Sequence, residues 1–194
     1  MKAIKIIAAS VLAALSLTSF AQTSSADEQQ RLEQSRAMSK ALGSQLSATL
    51  MKAMQEQGPV HGIQVCNEQA PAIAAAVNAA NQGDTKAVVS RTALRVRNTN
   101  NAPTAEQRAV LEYFQARMNQ GETAPELMFS SSDGNQYYMK AIVMQPQCAA
   151  CHGGSIKPEI AQAVQAKYPA DQATGFAVGD LRGAFLVQWL DAKN

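Results

Sequence analysis

Aromatic side chains make up only 5% of the 194 residues, with a single tryptophan. A core this short of rings must fill its space in some other way, and a large buried cofactor is one such way. Cysteine is equally sparse: there are three, an odd number, so at least one lies outside any disulfide within the chain. Histidine occurs twice, as His61 and His152, so acid–base chemistry has little material to work with. No apolar run after residue 20 is long enough to span a bilayer, which takes ~20 residues.

What is present begins with a leader. Lys2 and Lys5 form a basic start, Ile6 to Leu17 an apolar stretch, and Ser19-Phe20-Ala21 places small residues at the two positions a signal peptidase reads. This pattern predicts a signal peptide over residues 1–21, cut after Ala21, and export to a periplasm. The remaining residues, 22–194, number 173, enough for one domain with a proper core. With Lys2 and Lys5 gone, the 17 basic residues fall to 15 against 15 acidic ones. A balance near zero argues against nucleic acid as partner and against an anionic membrane surface, so no membrane insertion is expected after cleavage.

Periodicity predicts mainly helices. Leu32, Met38, Leu42, Leu46, Leu50 and Met54 recur mostly four apart, marking one long helix over 27–57 that ends at Gly58-Pro59. A short helix is expected next, then a second one opened by Pro71 and closed near Gly83. The stretch "AVVSRTALRVRN", 87–98, alternates and is β-branched, so it reads as a strand with Thr92, Leu94 and Val96 on one face and Arg91, Arg95 and Arg97 on the other. Thr104 with Gln107 three residues on is a capping-box pattern and opens another helix. Residues 124–145 read as a hairpin turning at Asp133-Gly134. A helix over 157–169 and a last strand over 183–191 complete an α+β domain: a small antiparallel sheet flanked by helices.

Chemistry concentrates in "QCAACHGG", 147–154, which holds two cysteines and one histidine. Cys148-Ala149-Ala150-Cys151-His152 is C-x-x-C-H, in an exported chain the attachment motif of c-type haem. Two thiols at i and i+3 lie on neighbouring positions of one helical turn and can form thioethers with two vinyl groups on one porphyrin edge. His152 then projects toward the iron as axial ligand. A structural disulfide, a thioredoxin-like redox pair and a zinc site completed by Cys66 and His61 are the competing readings.

Cys66 is left over. It reads either as an inert buried thiol or as a thiolate ligand opposite His152; His61, a methionine of the long helix and an open position are alternatives. The three arginines of the 87–98 strand suit the two haem propionates, since guanidinium matches carboxylate bidentately. A solvated basic face explains them equally well. Asp180 and Arg182 read as a local ion pair that holds a glycine-flanked turn. Tyr137 and Tyr138 alternate, so at least one should be turned inward.

Several motifs occur in a fixed order: Cys66, Arg91-Thr92, Arg97-Asn98, Asn101-Ala102-Pro103, the pentad with Gly153, Tyr168-Pro169-x-Asp171-x-Ala173-x-Gly175, and Gly179-Asp180-Leu181-Arg182-Gly183-Ala184. In these the chain resembles a family of exported monohaem c-type proteins of PAS-like fold, a domain also found as the sensory part of membrane histidine kinases. The resemblance runs from Cys66 to Val187. It implies one covalent haem c on Cys148 and Cys151, axial His152, and Cys66 as the opposite axial ligand. The chain departs from the family at Thr99, where proline is usual, at Phe176, where tyrosine is common, and in "AFLVQW" after Gly183.

The expected function is that of a periplasmic haem protein sensing redox state or a diatomic gas such as NO or CO. Reduction would weaken a soft thiolate bond, so Cys66 would leave and open a position. A single-electron carrier that works with a redox protein partner is the alternative. A peroxidase is not expected, because His61 is the one spare histidine.

Overall fold

The computed structural model describes residues 17–81, 86–132 and 134–190, the side chains of 17–25 excepted. The expected leader therefore lies outside the described residues apart from a backbone stretch beginning at Leu17, as do Asp133 of the hairpin and the helix end expected at Gly83. The chain divides into two compact units, residues 1–34 and 35–194. The first is helical where it is described, and everything that follows concerns the second. No helix among the described residues is long and apolar enough to cross a membrane.

The elements are α1 (Leu17–Ala80), β1 (Lys86–Thr92), α2 (Ala105–Asn119), β2 (Glu126–Ser130), β3 (Gln136–Val143), α3 (Ala149–His152), α4 (Pro158–Lys167) and β4 (Leu181–Leu190). The four strands form one antiparallel sheet in the order β1-β4-β3-β2. This is the expected α+β class with a small sheet and a long first helix.

Gly58 breaks α1 with φ 80° and ψ 175°, a conformation that glycine adopts without penalty. The break falls at the predicted helix end. The two helices expected after it are instead one continuous segment, with Pro71 inside it. Proline removes one backbone bond but its fixed φ is helical. Burial of Ala70 and Val77 on either side carries the segment through. The segments on the two sides of Gly58 pack closely: a Cβ on Gly62 would stand 3.0 Å from Leu50 and from Met54.

The alternation of β3 and β4 sorts the core onto two faces. Tyr137, Met139, Ala141, Ala184 and Leu186 pack against Val110, Leu111 and Phe114 of α2, whose N-terminus carries the predicted capping box. On the other face Trp189, 1% exposed, donates its indole N–H to Ser35 Oγ of α1 at 3.1 Å. Gly43 of α1 lies against the tip of the Phe185 ring, where a Cβ would come within 2.8 Å of Cζ. Both tyrosines turn inward: Tyr137 joins the α2 face, and buried Tyr138 donates to Glu126 Oε2 at 2.7 Å.

Glu126 also takes bonds from Arg36 of α1 and from Lys140. Burial works to raise its carboxyl pKa, but the bonds from Arg36, Tyr138 and Lys140 prevail and hold it down to about 2, from an ordinary 4.5. The ionised form therefore adds stability that is complete above pH 4.5 and is lost as pH falls through about 2. Thermal midpoints of the wild type should drop across that window, and those of Glu126→Gln should fall less steeply there.

The strand expected over 87–98 stops at Thr92. Its partner sets the limit. At Gly183 the backbones come so close that a Cβ would lie 2.5 Å from Thr92 O and 3.0 Å from Ala93 Cβ. The chain turns out of the sheet there, and Leu94 packs onto the α2 core. Arg95 and Arg97 consequently do not continue the face begun by Arg91.

Candidate functional site

Residues 146–148 form a 3-10 turn that runs into the single helical turn of α3. Cys148 and Cys151 are free thiols, half-buried, on adjacent turns of this unit. Gly153 is required immediately after it. Its N–H bonds Ala149 O at 2.9 Å, and a Cβ would meet that same oxygen at 2.6 Å. Met144, Ala173 and Phe176 pack beneath Cys148 and Ala149.

Residues 171–176 lie across this turn as a strap. Gln172 N bonds Val96 O at 2.9 Å, Gly175 N bonds Gly153 O at 2.9 Å, and Phe176 N bonds His152 O at 3.0 Å. The strap delivers a carbonyl to the histidine, with His152 Nδ1 2.7 Å from Ala173 O. A carbonyl oxygen carries no proton, so Nδ1 must be the donor. Arg182 Nε also stands 3.3 Å from Nδ1. That longer approach would need Nδ1 as an acceptor, so Arg182 rests against the ring as a charge rather than as a hydrogen-bond donor. Nε2 is left with its lone pair free, the form in which imidazole binds a metal.

The imidazole is strongly biased toward neutrality. Burial, then the Arg182 and Arg97 charges, pull its pKa down to about 3, against the opposing bond to Ala173. Arg182 is itself destabilised, to about 10, by burial and by Arg97 and Arg91. The ion pair expected between Arg182 and Asp180 does not form. Asp180 Oδ2 instead accepts from Ala177 N at 2.7 Å, closing its own turn, while Arg182 reaches the histidine.

The three arginines divide their tasks. Arg95 is exposed, donates to Thr174 O at 2.8 Å and stacks 3.7 Å above the Phe176 ring. Arg97 forms a two-point fork with Asp171 and also bonds the carbonyls of Cys151 and Ala173. Arg91 is half-buried on β1, and its guanidinium makes no hydrogen bond to any described residue; the groups it senses electrostatically are Cys66 and Tyr168.

Cys66, on the α1 segment after Gly58, is half-buried and free. Burial pushes its thiol pKa up, and the Arg91 and Arg97 charges pull the other way. Burial also pushes the Cys151 thiol pKa up; Arg97 opposes it and Cys66 adds to it. Ile63, one turn before Cys66, packs with Ile160 and Val164 of α4 in a cluster that Cys151 and Tyr168 border. The methionine alternative loses Met38, which is fully buried in the core. No three His, Cys, Asp or Glu side chains are grouped to hold an ion by themselves among the described residues, so the zinc alternative has no ligand set.

Sequence reasoning named Cys66, Cys148, Cys151, His152 and the three arginines; the structure brings Arg97 to the carbonyl of Cys151, while Arg95 lies exposed over Phe176 and the three cysteines and His152 do not form a metal-holding group by themselves among the described residues. The same reasoning missed Ala173, Asp171 and Arg182 as partners of the histidine. Asp171 had a local signal, because its Oδ1 accepts from Ala173 N two residues on, at 2.9 Å, an Asx turn. The bonds that matter for the site span 21 to 76 residues and leave no such trace.

Fold and site together define an α+β protein in which a Cys-x-x-Cys-His turn is strapped beside an antiparallel sheet and borders the helical segment that carries the third cysteine. The family model of the Tll0287-like proteins matches residues 16–189, and the chain belongs to that family. It is similar to a solved structure, the crystal structure of the cyanobacterial haem protein Tll0287, with 27% identity and a TM-score of 0.59. That similarity covers 87% of this chain and 98% of the other. No curated protein matches the chain.

Proposed function

We propose that this is a haem protein, exported by the leader over residues 1–21, holding one haem c in the domain 22–194. Cys148 and Cys151 supply the thioethers, and His152 and Cys66 the two axial ligands. The observation that carries the reading is the 2.7 Å bond from His152 Nδ1 to Ala173 O, which leaves Nε2 as the metal-binding nitrogen. Membership of a family that includes a haem protein of known structure supports it. Arg91, half-buried with no hydrogen-bond partner for its guanidinium among the described residues, is the arginine best placed to receive a propionate; Arg97 is already committed to Asp171.

Bound haem would supply one-electron redox chemistry and, where an axial position opens, affinity for NO or CO. The chain supplies the asymmetry between its two ligands. His152 is locked to the strap at its ring and at its carbonyl. Cys66 is carried by a helical segment joined to the rest of α1 through Gly58, a point with glycine's freedom. Such a pairing of one ligand locked by hydrogen bonds and one soft thiolate without them suits a redox or diatomic-gas sensor.

Optical and EPR spectra of the ferric and ferrous holoprotein, with and without CO, test this beside Cys66→Ala. The wild type should show a low-spin ferric thiolate signal that the variant lacks, and a ferrous form that takes up CO. A ferrous form that stays six-coordinate and inert to CO would leave a single-electron carrier as the function. A ferric signal unchanged in Cys66→Ala would remove the thiolate.

A further inference from the structure

The geometry points to Arg97 and Asp171 as positioning residues for His152: a buried clamp that fixes the carbonyl to which the imidazole is tied. The inference rests on the proposed ligation by His152 and adds the residues that set how firmly that ligand is held.

Five contacts make the clamp. Arg97 Nε and Nη2 meet Asp171 Oδ1 and Oδ2 at 3.2 and 3.1 Å, a bidentate fork. Asp171 Oδ1 also accepts from Ala173 N at 2.9 Å, which fixes the peptide before the critical carbonyl. Arg97 Nη2 reaches Ala173 O itself at 3.3 Å. The same nitrogen holds Cys151 O, the carbonyl immediately before His152, at 2.6 Å. One guanidinium therefore ties both the backbone that carries the imidazole and the acceptor that orients it. The pair is well shielded, with side-chain exposures of 12% for Arg97 and 6% for Asp171.

Burial of such a pair is costly, and stability alone gives little reason to keep it, since an apolar pair of similar volume often does as well. A ligand-orienting role gives a reason. The clamp also shares Ala173 O between two donors, His152 Nδ1 and Arg97 Nη2. The second donor holds that oxygen in place for the first. The two side chains thus govern the direction of the Nδ1–H···O bond, the lever by which a metal-bound histidine is tuned from outside.

Solvent exchange of the His152 Nδ1 proton reads that bond directly. It is followed by NMR in the ferrous holoprotein, with the Val187 amide of β4 as reference and the resonance assigned by its absence in His152→Ala. Asp171→Asn should accelerate ring-proton exchange about tenfold, the scale of one weakened hydrogen bond, with Val187 unchanged. Arg97→Lys keeps the charge but removes the fork, and the same acceleration is expected. It carries the test if Asp171→Asn fails to accumulate. The ferric g values should shift in parallel. Exchange that does not change, or that rises equally at Val187, would reduce the pair to a structural staple and overturn the proposal. A ferric spectrum unaffected by His152→Ala would instead overturn the ligation itself, and the clamp's role toward iron with it.

Discussion

A chain carrying Cys148→Ser and Cys151→Ser is expected to lose all haem that survives denaturation. Expressed beside the wild type in a host that matures c-type proteins, it should give no haem-stained band on a denaturing gel, and acidified acetone should extract whatever pigment it holds. The wild type should keep its haem through both treatments. The effect is complete because serine cannot form a thioether under these conditions, while the half-buried α3 turn has no other sulfur on it. Single variants should retain one attachment and show a shifted absorption band, because one vinyl group then stays unsaturated. Pigment that remained fixed in the double variant would refute attachment at this pair.

The second large effect lies far from the site. Trp189→Ala is expected to cost about 3–5 kcal/mol, the range for emptying a large aromatic site in a packed core. For a chain of this length that corresponds to a fall in thermal midpoint of roughly 6–20 °C. Trp189 is 1% exposed and its indole N–H is held by buried Ser35. Trp189→Phe keeps most of the apolar volume but strands the Ser35 hydroxyl, so it should cost about 1–3 kcal/mol. Chemical or thermal unfolding of the three proteins gives the comparison, and near-equal losses for Phe and Ala would mean that the indole bond, not the filled volume, matters most.

Features read correctly from the sequence are those decided locally. Thr104 and Gln107 sit three apart and close the capping box on each other without help from elsewhere. Gly134, at φ 81°, takes the turn between β2 and β3. The pentad is legible for the same reason, since its two thiols and its histidine share one turn. Errors arose where a distant partner decides. Alternation continues to Asn98, yet β1 ends at Thr92 because β4 crowds it at Gly183, 91 residues along the chain. Pro71 looked like a helix start because a proline usually is one; the buried alanine and valine around it are visible only once packed. Arg182 looked like the natural mate of Asp180, but that carboxylate is consumed by its own turn. The strap over 171–176 was beyond reach, because its bonds to residues 96, 152 and 153 depend on how β4 returns to the sheet.

The strand order has a consequence for the chain's history. β4 is the last element in sequence, yet it lies between β1 and β3 and pairs with both. The pairing of Lys86 with Leu190 closes a loop of 104 residues, and neither half of the sheet can complete itself before the C-terminal segment arrives. Arg182 and the strap that precedes it are late for the same reason. The turn bearing Cys148, Cys151 and His152 thus stays open to bulky reagents throughout synthesis and until the final collapse. The covalent attachment proposed for the two thiols would accordingly have its window before folding is complete.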